Sequence, residues 1–192
     1  MNKLSKIFII VGISLILISL TLFFTNIYND YNASKISKKN YEIIKNTTIN
    51  NEVELNENTI KIDDDEYIGI IDIPSLNLKL PVASTWNYEK MKKSPCRYYG
   101  SLENNDLVIS AHSYKSQFGL IKNLNQGDKL IFTDVFSQVY VYEVKVVEIL
   151  SPTDVEEMIN SEFDLTLYTC TKDSKNRVTV RLNKIDDFDV AI

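Results

Sequence analysis

Residues 7–24 form an uncharged, almost wholly apolar run, Ile-Phe-Ile-Ile-Val-Gly-Ile-Ser-Leu-Ile-Leu-Ile-Ser-Leu-Thr-Leu-Phe-Phe. A run of this length is enough for a helix to cross a bilayer and exceeds the apolar core of a typical cleaved leader. No small-x-small cleavage pattern follows; the chain continues Thr25-Asn26-Ile27-Tyr28. Lys3 and Lys6 precede the run and Asp30 follows it. Positive charge stays on the cytoplasmic side, so residues 1–6 are expected inside, 7–24 as a single span, and the remainder outside the cell. A cleaved signal peptide is the alternative, and it also leaves the domain outside.

Residues 25–64 are polar, with scattered Ile and Tyr and neither Gly nor Pro, and read as an extracellular stalk. Tyr31 to Lys45 has helical potential, yet its apolar positions look too sparse to bury a face. The acidic run Asp63-Asp64-Asp65-Glu66 closes the stalk and reads as a solvated boundary rather than a calcium contact. From residue 65 to residue 192 the pattern is that of a β-domain. Tyr67 to Ile73 is β-branched and stops at Pro74; Leu78 to Val82 alternates; Leu107 to Ala111 reads as a buried strand that runs into His112. Lys129 to Thr133, Val139 to Leu150, Leu165 to Cys170 and Arg177 to Leu182 follow, with short helical turns expected at Asn87 to Lys92 and Asp154 to Asn160. Many short strands around one core make this all-β with short helices, a barrel or a sandwich.

The last two strands can be read residue by residue, because side chains alternate across a strand. Leu165, Leu167 and Thr169 share one face, and Val178, Val180 and Leu182 share one face. These sets coincide if the loop 171–176 joins the strands antiparallel with Cys170 opposite Arg177. A slip of one residue destroys the match. In that register Cys170 and Arg177 emerge together away from the core, while Arg181 lies about 13 Å further along. An ordinary apolar cysteine beside a solvated arginine gives the same pattern, so the pair alone does not decide function.

Composition narrows the chemistry. The net charge is −5, and no Lys/Arg-rich stripe supports nucleic-acid binding. Two cysteines give at most one bridge, and a single histidine leaves no His-rich or Cys/His zinc site, so no metal and no cofactor are expected. A thiolate attacks an acyl carbon, and nearby positive charge favours it. Arg177 supplies a charge that never deprotonates and a fork of donors for an oxyanion. An imidazole is needed to protonate the leaving amine, and His112 is the single candidate. Cys96 reads as a small packed side chain, with a redox bridge to Cys170 as the alternative.

Several segments together resemble the sortase family over roughly Tyr67 to Leu182. Thr166-Leu167-Tyr168-Thr169-Cys170 resembles its Thr-Leu-x-Thr-Cys motif, and Arg177-Val178-Thr179-Val180-Arg181 its following strand. Val108-Ile109-Ser110-Ala111-His112 with Phe118-Gly119 and Leu124-x-x-Gly127-Asp128 resembles the segment carrying its histidine. Ile68 to Pro74 with Leu78-x-Leu80-Pro81-Val82 resembles its opening strands. The resemblance implies a closed eight-stranded β-barrel preceded by a transmembrane helix and stalk. It implies a cysteine transpeptidase on a Gram-positive surface, with Cys170, His112 and Arg177 catalytic; Thr169, next to the cysteine, is expected to bind substrate by placing its backbone and hydroxyl near the oxyanion. The implied partners are a C-terminal sorting signal, often Leu-Pro-x-Thr-Gly, and an amine of a peptidoglycan cross-bridge or pilin lysine. The short loop between Cys170 and Arg177 departs from many relatives and bears on that motif preference. The competing readings are an L,D-transpeptidase-like thiol acyltransferase, against which the long His–Cys separation counts, and a non-enzymatic tethered wall-binding β-domain.

Overall fold

The computed structural model describes residues 3–50 and 58–185. The first two residues, the stalk segment 51–57 and the last seven residues of the expected β-domain lie outside them.

One helix, α1 (Lys3–Asn50), carries the whole N-terminal region. Its apolar half is exposed along its length, with Phe8, Leu15, Leu22 and Phe24 all more than half accessible, and it is long and apolar enough to cross a membrane. This fits a single-pass anchor. The second half differs from the expected free stalk. Ala33, Ser37, Asn40, Tyr41 and Ile44 recur at helical spacing and are buried against the β-domain. The apolar pattern hides this face because two of its members are polar and one is alanine. Asn40 Nδ2 donates to the Tyr67 hydroxyl at 2.7 Å, satisfying a phenol that is almost wholly buried.

The β-domain contains β1 (Ile60–Ile62), β2 (Asp65–Ile73), β3 (Leu78–Ala83), β4 (Cys96–Tyr99), β5 (Leu107–Ser110), β6 (Lys129–Asp134), β7 (Val139–Leu150), β8 (Leu165–Cys170) and β9 (Arg177–Lys184). Short helices α2 (Tyr88–Met91) and α3 (Val155–Ile159) interrupt them. Neighbouring strands run β2-β3-β4-β5-β8-β9-β7-β6, and β6 returns to β2, so eight strands close a barrel. The short β1, inside the segment expected as stalk, pairs with β2 at Asp65 to Tyr67 and fills the edge that β6 leaves free. At the closing seam β2 bulges between Tyr67 and Gly69. Gly69 has φ 154°, and a Cβ there would lie 2.3 Å from the Thr133 carbonyl oxygen, so only glycine lets β6 approach.

The barrel interior is filled by inward residues of every long strand, among them Ile71, Val82, Ile109, Phe132, Tyr142, Leu167, Val180 and Leu182. A second cluster of Ile60, Ile62, Tyr67, Ala83, Cys96 and Val135 takes Ile44 from α1. The helix is thereby packed into the domain rather than hung beside it. β4 was not expected: only four residues long, it follows Ser94-Pro95 and carries Arg97.

Candidate active site

Three adjacent strands bring the predicted residues together. β8 and β9 pair antiparallel with Cys170 opposite Arg177, the register demanded by the apolar faces. Leu165, Leu167, Val178, Val180 and Leu182 all point into the core as that register requires. On the other side β8 runs parallel to β5, with Ser110 opposite Tyr168. Ala111 N–H continues the ladder by donating to the Tyr168 carbonyl at 3.2 Å. His112 follows Ala111 as Cys170 follows Thr169, so each comes just past the last contacts of this parallel pair. The strand carrying Cys170 thus lies between β5, which leads into His112, and β9, which opens with Arg177, and both Cys170 and Arg177 are part-exposed.

Thr169 is buried, and its hydroxyl donates to the Ala111 carbonyl at 2.8 Å. This bond fixes the end of β5 against β8, one residue before both Cys170 and His112.

His112 is held by its backbone and its ring. The wholly buried Gln117 accepts the His112 N–H through Oε1 at 3.0 Å and donates through Nε2 to the Lys92 carbonyl at 3.2 Å. The imidazole stacks on Tyr114 at a centroid distance of 3.9 Å. Gly119 allows the loop to fold this tightly, since a Cβ would meet the Ser113 carbonyl at 2.5 Å. Among the described residues, no donor or acceptor meets the buried Nδ1. Burial pushes the imidazole pKa below its ordinary value, Lys92 pushes in the same direction, and Asp30 opposes them. Gln117, Lys92, Tyr114 and Asp30 were not legible as site residues, because their roles depend on chain segments remote in sequence.

Beside Arg177 a groove of about 190 Å³ is lined by Trp86, Tyr98 and Tyr168 on one side and by Pro152, Val155 and Met158 on the other. Trp86, Tyr98 and Tyr168 meet edge to face in series, with centroids 6.0 and 5.4 Å apart. Arg181 has a different task from Arg177. Only 3% exposed, it donates to Glu148, to Thr166 Oγ1 and to the carbonyls of Glu157 and Met158, tying α3 across the outer face of β8 and β9. A larger groove of about 880 Å³ runs between α1 and the barrel, and neither Cys170 nor Arg177 lines it.

Cys96 and Cys170 are both free. Cys96 has no accessible surface, and its burial pushes the thiol up to about 12, so this structure contains no bridge between them. Asp63 and Asp65 pair with Lys39 and Lys90, and among the described residues no cluster of three His, Cys, Asp or Glu side chains is arranged to hold a metal.

The fold defines a class: a closed eight-stranded β-barrel in which a part-exposed cysteine faces an arginine across neighbouring strands. The family model for the sortase domain matches residues 71–185, and this chain belongs to the sortase family. A sortase D5 transpeptidase of Clostridium perfringens is 21% identical, with a TM-score of 0.62 over 79% of this chain and 99% of its own. A Clostridium perfringens sortase C, solved with the C-terminal cell wall sorting motif, is 25% identical, with a TM-score of 0.57 over 80% of this chain and 90% of its own. Sortase C1 of Streptococcus suis is also 25% identical, with a TM-score of 0.56 over 66% of this chain and 76% of its own. Comparison with curated proteins finds no match.

Proposed function

We propose that this sortase cleaves a C-terminal sorting signal of Leu-Pro-x-Thr-Gly type through a thioester on Cys170 and passes the acyl group to a cell-wall amine. The single observation that carries the reading is the β8–β9 register, which pairs Cys170 with Arg177. The Cys170 thiolate attacks the carbonyl carbon of the scissile peptide bond, and the electron pair moves onto oxygen. Arg177 donates to that oxyanion from the facing strand. As the C–N bond breaks, the imidazolium of His112 gives its proton to the departing amine, leaving the thioester. An incoming amine, of a peptidoglycan cross-bridge or a pilin lysine, attacks the thioester; His112 takes its proton and Cys170 leaves as thiolate. Thr169 supports the substrate indirectly, by fixing the strand ends. The aromatic groove beside Arg177 suits the apolar residues ahead of the scissile bond, with α3 as its opposite wall. The loop Thr171 to Asn176 closes on itself through the Thr171 N–H to Asn176 carbonyl bond at 2.9 Å, which leaves specificity to α3 and the aromatics.

The apolar half of α1 would span the membrane with Lys3 and Lys6 inside and the barrel outside. The resemblance of a crystallised relative carrying a sorting motif supports the peptide class. The test is intact-protein mass after incubation with a sorting-signal peptide. Wild type gains the acyl mass and releases the C-terminal piece, and Cys170→Ala does neither. Cleavage by Cys170→Ala at the wild-type rate overturns the mechanism.

A further inference from the structure

The loop that carries the polypeptide away from His112 is fastened to α1. Ser116 N–H donates to Asp30 Oδ1 at 3.2 Å, and its hydroxyl donates to the Asp30 carbonyl at 3.3 Å and also to Oδ1. Tyr114, two residues before Ser116, stacks on the His112 ring, so Asp30 on the helix reaches the imidazole through one short loop. Asp30 lies six residues past Phe24, about 9 Å along a helix axis. The contact therefore forms where the chain leaves its apolar run.

We propose that Asp30 is a positioning residue for His112, so that the emergent part of the anchor helix is a component of the active site as well as a tether. The inference rests on the reading of His112 as the acid–base. Gln117 holds the backbone of His112 from the α2 side, and Tyr114 covers one ring face. Without the Asp30 bonds, the loop would keep the Tyr114 carbonyl's bonds from the Gln117 and Gly119 N–H groups but lose its fastening to α1, loosening the stacking partner of the imidazole. The charged and titratable groups that act on or touch the ring are Asp30 on α1, Lys92 after α2 and Tyr114 on its own loop. Asp30 is the one carboxylate in this set, and it is supplied by the helix.

The test uses the full-length protein in detergent micelles, without a histidine tag. The chain holds one histidine, so a single imidazole resonance reports the site directly. Asp30→Ala loses latch and charge together. It should lower kcat on the order of tenfold, the scale of a slightly misplaced catalytic group, leave KM nearly unchanged and move the imidazole titration to lower pH. Asp30→Asn keeps an acceptor for Ser116 and should shift the titration in the same direction while keeping most of kcat. Ser116→Ala removes the hydroxyl's bonds from the loop side and should repeat the kcat loss; it decides the matter if Asp30→Ala does not fold. Wild-type kcat and an unmoved titration in Asp30→Ala and Ser116→Ala overturn the proposal, as does a rise in KM alone. Retained turnover by His112→Ala sinks the acid–base reading instead, and the imidazole titration of the Asp30 variants still judges the latch.

Discussion

The Thr169 hydroxyl donates to the Ala111 carbonyl at 2.8 Å, continuing the 58-residue offset of the parallel β5–β8 pair to the residues just ahead of His112 and Cys170. Because this offset is set by strand register, it is governed by the barrel and not by loops. Replacing Thr169 by Val keeps the shape and deletes the bond. The buried Ala111 carbonyl then loses its side-chain donor, at a cost of about 1–2 kcal/mol. The denaturation midpoint should fall accordingly and acylation should slow, whereas wild-type acylation would show that the bond does not position His112 and Cys170.

On the proposed mechanism Arg177 and Arg181 have two roles that kinetics and stability can tell apart. Arg177→Ala should reduce acylation by about 10²–10³-fold with little change in thermal midpoint. Arg177→Lys should recover little, because a point charge does not reproduce the guanidinium fork. Arg181→Ala leaves Thr166 Oγ1 and two carbonyls without their donor and should cost about 2–3 kcal/mol, with a raised KM as α3 loosens. Urea melts and steady-state peptide cleavage on both variants check the contrast.

The hairpin that sets this contrast was legible because alternation on two neighbouring strands admits one register. The barrel strands at Leu107 to Ser110 and Val139 to Leu150 were equally plain, being continuous or strongly β-branched. What escaped the pattern depended on partners far away. Ile60-Lys61-Ile62 is too short to signal a strand beside an acidic run, and becomes one only because β2 offers it an edge. The docked face of α1 uses Ser37, Asn40 and Tyr41, which an apolar template passes over. Asp30 and Gln117 reach His112 through turns that no spacing rule encodes.

The thiols should differ in reactivity. Cys96 is enclosed, and its pKa of about 12 leaves almost no thiolate at neutral pH, whereas Cys170 is part-exposed. Native protein should take up one equivalent of iodoacetamide, and Cys170→Ala none until it is unfolded. Modification of Cys96 in the native state would contradict its burial.

The single histidine should make stability fall in mild acid. Burial and Lys92 hold folded His112 below its ordinary value, so the unfolded chain takes up the proton first. This contribution is full above about pH 6.5 and is lost as pH falls from there to the folded pKa. His112→Gln should flatten that part of the stability profile. Lys92→Met removes the neighbouring positive charge, so it should raise the imidazole titration and shrink the acid loss, an effect that salt would partly mimic on wild type. A downward shift in Lys92→Met would reverse the assigned electrostatics.

Where a soluble fragment begins should decide its stability. A protein starting at Thr59 keeps β1, while one starting at Asp65 keeps all eight barrel strands but loses Ile60 and Ile62, both almost fully buried. Burying each isoleucine stabilises by about 1.5–3 kcal/mol at most, so the shorter fragment should be weaker by several kcal/mol in chemical denaturation. Both fragments lack Ile44 and Asn40, so both expose part of the second cluster and the Tyr67 hydroxyl to water. Each should therefore melt below the full-length protein, and the Thr59 fragment should lie between the other two. Equal midpoints for the two fragments would mean that β1 adds nothing beyond the closed ring. A Thr59 fragment as stable as the full chain would mean that the docked half of α1 does not contribute to the fold.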